Sequence, residues 1–291
     1  MTAQPAVAET LSIGCIVLSQ GNRPEELARA LATVLAQRDV GVHVTVVGNG
    51  WIPEGLPEGV ATIALADNAG VPEGRNIGAK ASVGDVLLFL DDDIELVGED
   101  LLARAIAQFA SDDRLAVLQP RAVDPTDGST ARRHIPRLRV GDPARSGDVA
   151  WFWEGAALIR RTAFDAVDGW PGDFFYGHEG IEVAWRLVDA GYRIRYDAGL
   201  AVLNPPAVPF RGTRHRYYDA RNRVWVARRN LPALLVAGYL VVWIPATLLR
   251  GGGTAALRGF ADGLRTDVGE RRPIRWRTAW RLTRLGRPPV V

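Results

Sequence analysis

The sequence predicts an α/β protein with a mainly parallel sheet flanked by helices, and three observations carry that prediction. Through the first half, β-rich runs at residues 12–18, 42–47, 61–66 and 86–90 alternate with helical stretches, the pattern of repeated βαβ units. Residues 86–90, Val-Leu-Leu-Phe-Leu, are apolar without interruption, as expected of a strand covered on both faces. That run stops in three consecutive carboxylates, Asp91, Asp92 and Asp93, at the strand end where open α/β sheets bind their ligands.

The elements follow in order. After the first strand, Ser-Gln-Gly-Asn-Arg-Pro at 19–24 reads as a polar turn with proline at a first helical position. A helix to about Gln37 repeats Leu27, Ala30, Leu31, Val34 and Leu35 at helical spacing, so one face packs on the sheet. The runs at 42–47 and 61–66 end in turn chemistry, Gly48-Asn49-Gly50 and Asp67-Asn68-Ala69-Gly70. A short helix over residues 75–81 leads into the acidic strand.

Composition sets the frame. With 291 residues, 47% hydrophobic and 23% charged, the chain buries a full core and holds one large or two modest domains. The single cysteine, Cys15, lies in an apolar run and reads as a buried structural thiol in a reducing compartment. The first residues have neither a basic region nor a long apolar core, so no secretory signal is expected. Net charge is only +2, but arginines crowd the last third.

On its own, the acidic run has two readings. Adjacent carboxylates suit a hard cation such as Mg²⁺ or Mn²⁺ bridging a diphosphate; alternatively, they form an acidic turn before a helix, whose first residues favour Asp and Glu.

Several stretches together carry a resemblance: residues 19–37, Asn-Ala-Gly-Val-Pro-Glu-Gly-Arg-Asn-Ile-Gly-Ala-Lys at 68–80, Phe-Leu-Asp-Asp-Asp at 89–93, Glu-Gly-Ala-Ala-Leu-Ile-Arg-Arg at 154–161, and residues 168–192. Over roughly residues 10–230, and in this order, they resemble family 2 glycosyltransferases of the GT-A fold, which are inverting enzymes. The order is more specific than the Asp-x-Asp motif alone. The resemblance implies a nucleotide-diphospho-sugar transferase fold and places Asp91 and Asp93 at the metal that bridges the donor's phosphates. An acid of this motif also contacts the ribose, and Asp92 and Ser19 fall among the donor-binding candidates. Arg75 and Asn76, near a helix start, suit a phosphate or ribose; Arg75 reads equally as a solvated helix residue. Asn49 stands where the family usually has an acid reading the base, which leaves the donor base open.

The second half is expected to carry the acceptor. Trp151, Trp153, Glu154 and Gly155 precede an apolar strand and form either a sugar-stacking wall or core packing. Gly180 occupies the position of the family's catalytic aspartate, and a hydrogen cannot take a proton. Glu179 and Glu182 are the candidate bases, Glu179 foremost, although both types also favour a helix N-terminus. Where relatives often have a histidine near the metal, residues 203–206 read Leu-Asn-Pro-Pro. His215, in Arg-Gly-Thr-Arg-His-Arg at 211–216, is the nearby replacement or part of a solvated basic loop.

Residues 217–230 read as a basic amphipathic helix, and 231–249 carry no charge. At roughly nineteen residues this run is at the lower limit for crossing a bilayer. Its two prolines and flanking arginines fit a helix in the membrane interface or a re-entrant hairpin equally well, and a buried helix is the third reading. The arginine-dense tail with Trp276 and Trp280 suits an anionic lipid surface; nothing resembles a nucleic-acid fold. The sequence thus leads to a flexible segment at 1–10, a nucleotide-sugar half at 11–120, an acceptor half at 121–230 and an extension at 231–291. The expected activity is metal-dependent, inverting transfer from a nucleotide diphosphate sugar to a lipid-linked or polysaccharide acceptor, in the cytoplasm at the inner membrane face. A binding protein that lost its base and a nucleotidyltransferase are the alternatives.

Overall fold

The computed structural model describes residues 11–138, 141–206 and 212–290; the segment expected to be flexible at 1–10, and Arg211, lie outside them. The expected α/β architecture is present. Strands β1 (Ile13–Ser19), β2 (Val42–Asn49), β3 (Ala61–Leu65) and β4 (Val86–Asp91) run parallel. The chain continues through β5 (Glu95–Leu96), β6 (Leu115–Val123), β7 (Gly147–Asp148), β8 (Ala156–Arg160) and β9 (Arg193–Leu203). The sheet order is β3-β2-β1-β4-β8-β6-β9-β5, with β7 also on β9. Because β8 is antiparallel to both β4 and β6, while β9 is parallel to β6, six strands share one direction.

Two cores explain the apolar strands. In β4, Val86, Leu88 and Leu90 join the core beneath α1 (Pro24–Leu35) and α3 (Leu101–Ser111), whereas Leu87 and Phe89 join the opposite one. Side chains alternate between faces along a strand, so a strand covered on both sides must be apolar at every position. Cys15 is fully buried in β1, and burial pushes its thiol up to about 12, as a structural thiol requires.

Helix α1 begins at Pro24 and buries Leu27, Ala30, Leu31 and Val34. Leu35, expected on the same face, is 44% exposed, since it ends the helix beyond the sheet contact. Helix α2 (Val71–Ala81) starts four residues earlier than the periodicity suggested, with Pro72 in its first turn and Gly70 before it. A methyl group on Gly78 would sit 2.5 Å from Ile16 and 2.9 Å from Val47, so glycine lets this helix approach the sheet closely. The second core also takes in α4 (Arg161–Asp165) and α5 (Glu179–Asp189).

Four further helices follow: α6 (Thr213–Asn230), α7 (Ala233–Leu249), α8 (Gly253–Arg265) and α9 (Trp276–Arg284). Ala220, Val224, Ala256 and Phe260 form a small cluster between α6 and α8. No helix among the described residues is long and apolar enough to cross a membrane. Of the three readings of residues 231–249, full burial also fails. Tyr239 is the buried residue of α7, while Leu234 and Val241 are each 73% exposed.

Candidate active site

A cleft of about 700 Å³ opens at the carboxyl ends of β1, β2 and β4. Asp91 ends β4, and Asp92 and Asp93 follow in the turn toward β5. Ser19 Oγ donates to Asp92 Oδ2 at 2.6 Å and accepts from the Gly21 N–H. Arg23, one residue before α1, clasps Asp92 at 2.5 Å and also pairs with Asp93. Even so, burial pushes Asp92 up to about 6 and raises Asp93, with the neighbouring aspartate charges adding to both. Three carboxylates with two guanidiniums, Arg23 and the Arg75 that pairs with Asp91, remain short of positive charge.

That shortage fits a divalent cation. Among the described residues no three His, Cys, Asp or Glu side chains form a ready metal-binding group, so His215 is not brought in as a third ligand beside Asp91 and Asp93. It lies in the first turn of α6 and lines the same cleft, its ring 5.3 Å from that of Tyr176. One or two carboxylates, completed by substrate phosphates and water, is the usual Mg²⁺ arrangement. The side chains of Asp91 and Asp93, 40% and 17% exposed, can supply it.

Other candidates sit differently from their expected roles. Arg75 is neither solvated nor in the cleft lining: it is 4% exposed, donates to Asp91 Oδ1 at 2.7 Å and lies over the Trp170 ring. It braces the acidic strand from behind. Asn76 also faces away, its amide pairing with the Trp170 backbone N–H and carbonyl at 3.0 and 2.8 Å. Asn49 lines the cleft, but its side chain accepts from the Ala69 N–H and donates to Asn68 and Gly70, so its hydrogen bonds hold the 68–70 loop. Trp153 lines the cleft and packs against His134 with ring centroids 4.3 Å apart. Trp151 instead packs at the main core, under the Arg287 guanidinium. Gly155 makes room for this arrangement, because a methyl group there would come within 2.6 Å of the Trp153 ring and 2.8 Å of Asp91.

The two candidate bases separate. Glu182 is fully buried and bound by Arg186, Arg229 and Asn230; it points into the α5–α6 packing and is not part of the cleft lining. Glu179 starts α5, is 5% exposed, and has Arg75 3.9 Å from one oxygen while the other has no partner. Beside it, Glu154 Oε1 accepts the Gly180 N–H at 2.8 Å. Burial raises both carboxyls; the Glu179 charge raises Glu154 further, and Arg75 opposes the rise in each.

Sequence reasoning missed part of the wall. Arg23, Arg133, His134, Phe175 and Tyr176 all line the cleft. Phe175 and His178 adopt positive φ of 64° and 71°, a cost in backbone strain that Asn222 offsets. Its side chain is fully buried and donates to the carbonyls of Phe174, Tyr176 and Gly177 at 2.8–3.0 Å. An asparagine among arginines in an amphipathic pattern was the available signal. Nothing local in Arg-Arg-His at 132–134 announces that the loop folds back to the strand ends.

This arrangement, acids closing a central parallel strand beneath a polar cleft, is that of a GT-A glycosyltransferase fold. Residues 15–168 match the family model described as Glycosyl transferase family 2, and the chain belongs to that family. It is similar to the pre-mycofactocin glycosyltransferases of two strains of Mycobacterium tuberculosis, 24% identical over 195 residues, which are 62% of this chain and 41% of each relative. The chain thus spans less than half the length of these curated relatives. Among solved structures it is similar to GalNAc-T7 with UDP, GalNAc and Mn²⁺ (TM-score 0.64, 15% identity, 88% of this chain and 55% of that one). It is also similar to the mannosyltransferase PcManGT from Pyrobaculum calidifontis in complex with GDP-Man and Mn²⁺ (TM-score 0.58, 18% identity, 89% and 77%). At these identities the likeness is one of fold.

Proposed function

We propose that this protein is a metal-dependent, inverting glycosyltransferase that moves a sugar from a nucleotide diphosphate sugar to a lipid-linked or cell-envelope polysaccharide acceptor. The observation that carries this reading is the run Asp91–Asp92–Asp93 at the end of β4, gathered with Arg23 at the mouth of a polar cleft. Family membership supports it, as do the nucleotide sugar and Mn²⁺ bound by the similar PcManGT.

Asp91 and Asp93 hold Mg²⁺ or Mn²⁺ in this reading, and the cation, when bound, offsets the charge of the diphosphate leaving group. Arg23 keeps the carboxylates together before the donor arrives and is placed to meet a phosphate. Trp153 and Tyr176 offer flat faces for a sugar. An inverting transfer also needs a carboxylate to take the proton of the acceptor hydroxyl.

An anionic membrane surface at the cytoplasmic face is the proposed location. In support, α7 exposes Leu234, Val241 and Leu249, and α9 exposes Trp276 and Trp280 among arginines, the combination that binds anionic interfaces.

Calorimetry with GDP-mannose and UDP-hexoses, with and without Mn²⁺, tests the donor site. Asp91→Asn and Asp93→Asn are expected to abolish Mn²⁺-dependent binding; unchanged affinity in both variants sinks the site. Product analysis separates glycosyl transfer, which releases nucleoside diphosphate, from nucleotidyl transfer, which releases pyrophosphate.

A further inference from the structure

The missing side chain at position 180 is accounted for in space, although not in sequence. A methyl group built on Gly180 would overlap the Glu154 carboxyl, with even Cγ of Glu154 only 2.6 Å away. The volume that a residue-180 side chain would enter is therefore filled by a carboxylate from another element. Glu154 precedes β8 by two residues and reaches across to the first turn of α5. There its Oε1 accepts the Gly180 N–H at 2.8 Å, in the field of the free helix N–H groups that favours a negative charge.

The same segment is tied to the cleft on both sides of Glu154. Trp153 lines it, and the Gly155 carbonyl accepts the Asp91 N–H at 2.8 Å. Glu154 itself is half-buried, whereas Glu179 is 5% exposed, with Arg75 between it and Asp91.

We infer that Glu154 is the proton acceptor of the transfer, supplying from the strand β8 side the carboxylate that position 180 lacks. This rests on the inverting-transferase reading above. The Glu154 carboxylate takes the acceptor hydroxyl proton as the acceptor oxygen bonds to the anomeric carbon. The bond from that carbon to the donor's phosphate oxygen breaks, and its electron pair leaves with the nucleoside diphosphate. The proton then passes from Glu154 to solvent. Glu179 is a positioning residue that holds Arg75 behind Asp91.

The test uses the full chain, UDP-hexoses and GDP-mannose as donor probes and octyl glycosides as acceptor probes. Calorimetry of donor binding and thermal melting run in parallel. Glu154→Gln is expected to keep its melting temperature and donor affinity while losing about 10²- to 10⁴-fold in transfer, and Glu179→Gln to stay within about tenfold of the parent. The decisive measurement is rescue: Glu154→Ala combined with Gly180→Asp is expected to recover at least about tenfold over Glu154→Ala alone, since the vacated volume then accepts the aspartate. Transfer by Glu154→Gln at the parent rate, or a double variant no faster than Glu154→Ala, overturns the assignment and leaves the transferase reading standing. A parent protein that binds none of the donors overturns both.

Discussion

At the residue scale, the cleft is built from polar groups whose hydrogen bonds are mostly used to hold the cleft itself. His134 shows what this implies for pH. Burial, and then the charge of Arg133, lower it from 6.5 to about 4, and the neutral ring accepts from Arg133 Nε at 3.0 Å. A histidine depressed in the folded state stabilises fully above pH 6.5, and this contribution drains away as pH falls toward about 4. Urea unfolding of the parent and of His134→Gln should therefore differ more at pH 7 than at pH 5, by roughly 1–2 kcal/mol; a difference independent of pH refutes it. The acids were legible in the sequence because the apolar run that precedes them, set in a βαβ pattern, puts them at a strand end where α/β sheets bind their ligands. Arg75, Asn76 and Asn49 were not, since sequence tells which groups a residue carries but not that Asp91, the backbone of Trp170 and the backbone of Ala69 respectively have already claimed them. Glu154 was read for its neighbours, the tryptophans, and its meeting with Gly180 across 26 positions has no local signature.

At the element scale, strands and helices of the first half follow from periodicity because each is covered by its own chain neighbours. Later elements depend on distant partners. The two-residue strands β5 and β7 exist as edge pairs on β9, and no propensity marks them. Helices α6 and α8 approach through glycines: a methyl group on Gly259 would lie 2.9 Å from Ala220, and one on Gly263 2.8 Å from Val224. Helix α9 buries Thr278, Ala279 and Leu282 and turns Trp276 and Trp280, 57% and 65% exposed, outward. In the membrane contact proposed above, arginine charge draws this face to anionic lipid and the indole rings fit the headgroup layer. Sedimentation with phosphatidylglycerol vesicles should carry the protein down at low salt, several-fold less for Trp276→Ser/Trp280→Ser; identical sedimentation of the two proteins dismisses α9 as the contact.

At the scale of the whole molecule, the last sixty residues share a core with the first two hundred. Val268, Ile274, Ala279 and Leu282 belong to the same buried cluster as Ile16, Phe89 and Ile159. The Arg272 and Ile274 N–H groups donate to the carbonyls of Arg229 and Asn230, and Arg287 lies over Trp151, 4.5 Å from its ring centre, three residues from Glu154. A chain cut after Leu231 should consequently aggregate or bind a hydrophobic dye, rather than yield a clean catalytic domain, and a sharp cooperative melt of that fragment contradicts this view. The same wiring bears on synthesis. Sheet strands through β9 emerge from the ribosome roughly 4–16 s before Leu282 does, at about 5–20 residues per second. During that interval one face of a nearly complete sheet lacks part of its cover. Codon choice between residues 203 and 282 therefore sets how long that face stays uncovered.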